Sequence, residues 1–125
     1  MLGWTPKDIL TDASKPITAS VTNLPVGRTF NLNSAGATEA LLVAIKVSGL
    51  AGTATFKLQH AVLVDFEDVS GKSVAAANGW NYIKLHSGVA ADAALMPLLG
   101  IGRVVLTTNG SGAGTIENLV VMQQL

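Results

Sequence analysis

From Ile17 onward apolar and polar side chains alternate with a period of two, and Gly, Asn or Pro breaks the alternation about every eight to fifteen residues. That is the punctuation of an all-β chain. The pattern predicts strands over 17–21, 28–32, 39–48, 53–60, 64–69, 80–85, 103–108 and 115–123. In the most apolar of them, Leu41, Val43, Ile45 and Val47 share one face, which marks a central strand. Ala54, Phe56 and Leu58 point inward from the next, with Thr55, Lys57 and Gln59 outward. Trp80, Tyr82 and Lys84 face opposite to Asn81, Ile83 and Leu85. Two stretches depart from the rule. Val89 to Met96 is rich in helix formers and ends at Pro97, which predicts a short helix or turn. Thr5-Pro6 with Asp8 close behind has the form of a helix start, and Lys15-Pro16 closes that segment. The fold class expected is an antiparallel β-sandwich or jelly roll of seven or eight strands, with an N-terminal arm or helical turn over 1–16 and the β domain over 17–125.

The turns between strands are less regular than the strands. Asn78-Gly79 has the strongest turn dipeptide, Ser70 to Ser73 marks another turn, and 109–114 reads as a glycine-rich hairpin loop between the last two strands. The hairpin expected over 53–70 is different, because its tip falls on Ala61-Val62-Leu63 where polar residues tolerant of positive φ are usual. Either the strands continue through this region as a longer or bulged pair, or the tip is buried against another subunit.

Composition supports a folded chain with little electrostatic character. Of 125 residues 49% are apolar and 13% charged, and eight basic side chains balance eight acidic ones. Such a chain buries enough apolar surface to fold as one compact domain. Zero net charge argues against a nucleic-acid partner, which calls for surplus Lys and Arg. With no cysteine, the fold relies on neither disulfides nor thiolate metal sites. The amino terminus lacks the basic start and apolar run of a secretory signal, and no segment approaches a membrane span. A soluble, unprocessed protein without membrane contact is expected.

Candidate chemistry is thin. Gly110, Gly112 and Gly114 are spaced as in a phosphate-cradling loop, but β-type sequence follows where a helix N-terminus is required. Gly71-Lys72-Ser73 ends like a phosphate-binding loop, yet Phe66 stands where the upstream glycine should be. His60 and His86 lie at the ends of separate predicted strands, and although Asp65, Glu67 or Asp68 could complete a metal site, nothing enforces one. Phe66 and Val69 interrupt the alternate oxygen ligands and glycine that a calcium loop needs. Eight scattered acids do not frame a glycosidase cleft, and no serine sits in a nucleophile elbow. The expectation is a protein that is not an enzyme and uses no cofactor or metal.

One stretch carries a resemblance. Thr55-Phe56-Lys57-Leu58-Gln59-His60, followed after five residues by Phe66-Glu67-Asp68-Val69-Ser70-Gly71, resembles a hairpin pattern of small β-sandwich structural proteins of tailed bacteriophages. The usual Asp-Gly tip is replaced here by Val62-Leu63-Val64. The resemblance implies a head decoration or cement protein, made in the host cytoplasm and carried on the capsid exterior, self-associating as a homo-oligomer such as a trimer and contacting the major capsid protein. It brings no catalytic residues.

Surplus apolar side chains collect where loops should be polar, and these are the candidate protein interfaces: Leu2 and Trp4; Val62, Leu63 and Val64; and Met96, Leu98, Leu99 and Ile101. Trp80 and Tyr82 support an alternative, a carbohydrate-binding module of a viral fibre or tail in which both rings stack on a sugar.

Overall fold

Two very long strands organise the molecule. A computed structural model describes residues 4–10, 15–32 and 40–124, and among them are seven strands in one antiparallel sheet. They are β1 (Thr5–Leu10), β2 (Lys15–Ile17), β3 (Leu24–Asn31), β4 (Ala40–Val62), β5 (Asp65–Ala75), β6 (Gly79–His86) and β7 (Ile101–Gln124). A single turn and a half of helix, α1 (Ala90–Leu95), and a 3₁₀ turn (Met96–Leu98) join β6 to β7. Among the described residues no helix is long and apolar enough to cross a membrane.

β4 and β7 pair along nearly their whole lengths. Each is bent in the middle, where the register shifts at Lys46/Val47, Ser48/Ala51 and Ala51/Thr53. The bend changes the phase of the pleat. Before it the inward side chains of β4 are Leu41, Val43, Ile45 and Val47; beyond it they are Ala54, Phe56, Leu58 and His60. An odd number of extra residues is what such a switch requires, and bulges supply it. β6 and β1 flank one half of the β4–β7 ribbon, β5 and β3 flank the other, and β2 pairs near the bend. Both halves turn their inner faces to one core containing Phe56, Leu58, Leu85, Leu106 and Leu119. This is the all-β antiparallel sandwich expected from the alternation. Its accessible surface is 6296 Å², against roughly 6,300 Å² for a compact chain of this mass.

Polar latches join the free edges. Asp8 of β1 accepts two hydrogen bonds from the Arg28 guanidinium of β3, at 2.8 and 3.0 Å. On the other side Lys72 of β5 donates to the Lys84 carbonyl of β6 at 3.0 Å and pairs with Asp92 of α1 at 2.8 Å. Burial of Asp92 opposes its ionisation, but the Lys72 ammonium and the His86 backbone N–H outweigh that and hold its carboxyl below the ordinary value of 3.8.

Four sequence expectations change. Residues 5–10 form a strand on β7, so the N-terminal arm is part of the sheet and not a helical turn. Thr5-Pro6 is a cap signal only if the following residues lack a better partner, and β7 provides one. Among the described residues, Pro6, Pro16 and Pro25 lie on strands that pair with β7 alone, where a missing N–H costs no ladder bond on the outer side. Where a strand is expected over 17–21, β2 covers Lys15–Ile17 and ends at the first of those residues. Finally, 109–114 is not a hairpin loop, since the two segments beside it are halves of β7. At its end Gly114 has φ +136 and sits so close to β4 that an added Cβ would lie 3.0 Å from the Ser48 carbonyl oxygen. Ser70 to Ser73 is likewise a bulge inside β5, opened between the Gln59 and Lys57 pairings.

Candidate docking surface and groove

The β4–β5 hairpin closes with Val62 opposite Asp65, leaving Leu63-Val64 as a two-residue tip. Leu63 is 95% exposed and Val64 84%. Leu63 also has φ +68, and positive φ at the first central residue is ordinarily left to glycine in such turns. Hydrophobic exposure and backbone strain thus coincide on one residue. Neither contributes to the fold of this chain.

The second apolar stretch reaches the same end of the molecule. Ile101 pairs with Ala61, two residues before the tip, and the 3₁₀ turn precedes it. Leu98 is 70% and Ile101 54% exposed. Two stretches separated by more than thirty residues of sequence therefore make one apolar end. Met96 and Leu99 do not belong to it: each is only 4% exposed and packs in the chain's own core. Their place as interface candidates is corrected, because a 3₁₀ turn of three residues per revolution sends 96 and 99 to one side and 98 to the other. Leu2 and the Val62 side chain lie outside the described residues.

Cross-strand contacts brace the base of the hairpin. The Arg103 guanidinium stacks 4.1 Å from the Phe66 ring centroid and donates from Nε to Gln59 Oε1 at 2.9 Å. Gln59 Nε2 donates to Asp68 Oδ1 at 2.8 Å, and Lys57 Nζ reaches Asp68 Oδ2 at 3.2 Å. The Gln59 amide, then Lys57, hold the Asp68 carboxyl below its ordinary value. This row crosses β5, β4 and β7 on the outer face. It fixes the strands that carry the tip, a form of preorganisation.

The acids and histidines considered from sequence do not converge. Asp65 flanks the tip, Asp68 joins the Gln59 row, and Glu67 lies 3.5 Å from the Nε2 of buried His60. His86 sits at the far end of β6, where its Nδ1 accepts the Gly88 N–H at 2.8 Å.

The outer face of the other half holds an open groove of about 460 Å³ lined by Trp4, Leu42, Tyr82, Lys84 and Met122. The register explains it: Leu42 lies between Lys84 of β6 and Met122 of β7, and Pro6 pairs with Met122 beyond, bringing Trp4 alongside. Lys84 Nζ stands 5.8 Å from the Trp4 ring centroid. Trp80 and Tyr82 are both exposed on this face, as the alternation of β6 predicts. Sequence reasoning missed Leu42, Lys84 and Met122 as a set, because they come from three strands; the outward parity of Lys84 was the only signal. Compared with protein-family models, curated proteins and solved structures, the chain finds no match.

Proposed function

We propose that this chain is a non-enzymatic structural protein that docks onto other protein surfaces through its apolar end, and that its setting is the capsid exterior of a virus. There it serves as a decoration or cement protein on the major capsid protein. The observation that carries the docking role is the hairpin tip, where Leu63 and Val64 stand almost fully in solvent on a braced stem. Exposed aliphatic anchors on a preorganised support are what a partner pocket desolvates, while the surrounding surface supplies fit. The near absence of net charge suits a protein that holds surfaces together by area and shape. The capsid setting rests on the hairpin resemblance described from the sequence.

Two measurements separate the parts. Mass spectrometry of washed virus particles should find the chain, and its absence would overturn the setting. Leu63→Asp protein, folded by circular dichroism, should fail to bind particles that wild type binds; equal binding would overturn the docking surface. A carbohydrate-binding role is the second reading, favoured by the exposure of Trp80 and Tyr82 side by side on β6. It requires glycan-array binding that disappears in Trp80→Ala.

A further inference from the structure

We infer that the hairpin tip of one copy seats in the Trp4–Tyr82 groove of a second copy, so that the chain self-associates head to tail. The inference rests on the docking reading above and gives the tip a second partner beside the capsid protein: another copy of this chain. The tip offers Leu63 and Val64 and, immediately after them, the exposed carboxylate of Asp65, which among the described residues makes no ion pair or hydrogen bond. The groove offers the complement. Leu42 and Met122 are half-buried between exposed Trp4 and Tyr82, and Lys84 supplies a cation on the same lining. Its volume of about 460 Å³ falls in the range of pockets that bury small apolar groups, enough for two aliphatic side chains. Apolar knob meets apolar socket, and carboxylate meets ammonium.

The two surfaces lie on opposite halves of the bent sheet, the tip where β4 meets β5 and the groove where β6, β4, β7 and β1 run side by side. Different patches therefore meet, so the contact is heterologous; the copy that gives its tip keeps a free groove and the copy that receives it keeps a free tip, and assembly proceeds to a ring or a chain. A net charge of zero leaves no long-range repulsion between copies.

Sedimentation velocity on the full chain tests this. Wild type should form oligomers larger than dimers as concentration rises. Leu63→Asp and Tyr82→Glu should each be monomeric, with self-affinity about a hundredfold weaker or more. Mixed one to one, they should form a dimer and nothing larger, since one copy retains its groove and the other its tip. Asp65→Lys and Lys84→Glu should each weaken assembly, and the double variant should restore it. Circular dichroism verifies folding, and Tyr82→Ala replaces Tyr82→Glu if the latter misfolds. A wild type that stays monomeric, a Tyr82 variant that assembles normally, or a mixture that yields no dimer would overturn the inference. So would a groove that binds a saccharide, by tryptophan fluorescence, without self-association. Monomeric wild type that still binds particles through Leu63 would overturn the self-contact alone; Leu63→Asp binding particles like wild type would overturn the docking reading.

Discussion

Leu63→Gly should make the isolated protein more stable and its contacts weaker. Leu63 holds φ +68 at 95% exposure, so its side chain gives the fold almost no burial while its Cβ strains the backbone. Left-handed geometry costs a residue with a Cβ about 1–2 kcal/mol. Glycine removes that strain but adds unfolded-state entropy worth roughly 0.5–1 kcal/mol. The balance favours the variant by about 0.5–1 kcal/mol, a rise in Tm of roughly 2–5 °C for a domain of this size. Docking moves the other way. A leucine side chain taken from water into a partner contributes about 1.5–3 kcal/mol, so its removal weakens association about ten- to a hundredfold. Thermal unfolding by circular dichroism at low concentration reads the first effect, and light scattering or particle binding reads the second. A lower Tm would refute the strained turn. Unchanged association at higher Tm would refute the tip as an anchor.

Other perturbations probe the scaffold. Gly114→Ala should cost about 2–4 kcal/mol in denaturant unfolding, since a Cβ there meets the Ser48 carbonyl oxygen and Leu50 Cα at φ +136; a loss under 1 kcal/mol would show that the bend yields freely. Asn81→Leu should cost about 2–4 kcal/mol by the same assay, because buried Asn81 accepts from the Ala77 N–H at 2.8 Å and donates to the carbonyls of Ala77 at 2.9 Å and Ile45 at 3.2 Å. Asp92 has a lowered folded pKa, so its contribution is complete above the unfolded value of 3.8 and fades as pH falls below it through the folded value. Wild-type Tm should therefore drop across that acid range, and Asp92→Asn should flatten the drop while lowering Tm at pH 7; parallel curves would refute the role of the Lys72 latch.

How much of this was legible in the sequence depended on the range of the interaction. The period-two faces of 41–47, 54–58 and 80–85 are legible, because pleat parity is a local property and both sides of each strand sit in contrasting surroundings. Strand ends are not legible in the same way. Gly49, Gly52, Gly110 and Gly114 all have positive φ, which in sequence is indistinguishable from a turn. What makes them bulges is that β4 and β7 both bend at one level, a fact of pairing between residues some sixty positions apart. The N-terminal helix signal failed for the same reason: β7 offered Thr5 to Leu10 an edge, and tertiary pairing overrides capping preference. The tip is anomalous in composition alone, yet its union with Leu98 and Ile101, and the grouping of Trp4 with Leu42, Tyr82 and Met122, depend on the register.

The bend also links architecture to interaction. A ribbon of two straight strands would place Leu63 and the Trp4–Tyr82 groove on one long flat sheet, whose outer faces a second sheet would have to cover. Folding the ribbon over its own core leaves the two outer faces uncovered, and the chain has few charges with which to solvate them. On the half that carries the tip, Lys57, Gln59, Asp68 and Arg103 form a polar row over the face, and the apolar surplus is confined to the end. On the other half a Lys46–Glu117 pair at 3.9 Å stands toward the bend, but the groove itself is lined by Leu42, Tyr82 and Met122, with Lys84 alone on that lining to supply charge. If solubility alone governed these faces, both would carry polar rows; the asymmetry is accounted for when one half presents an anchor and the other receives one. Replacing Leu42 by Lys, which extends the polar pattern to the second face, should leave Tm within a few degrees and abolish concentration-dependent assembly. A variant that assembled as before would show the asymmetry to be without consequence for contact.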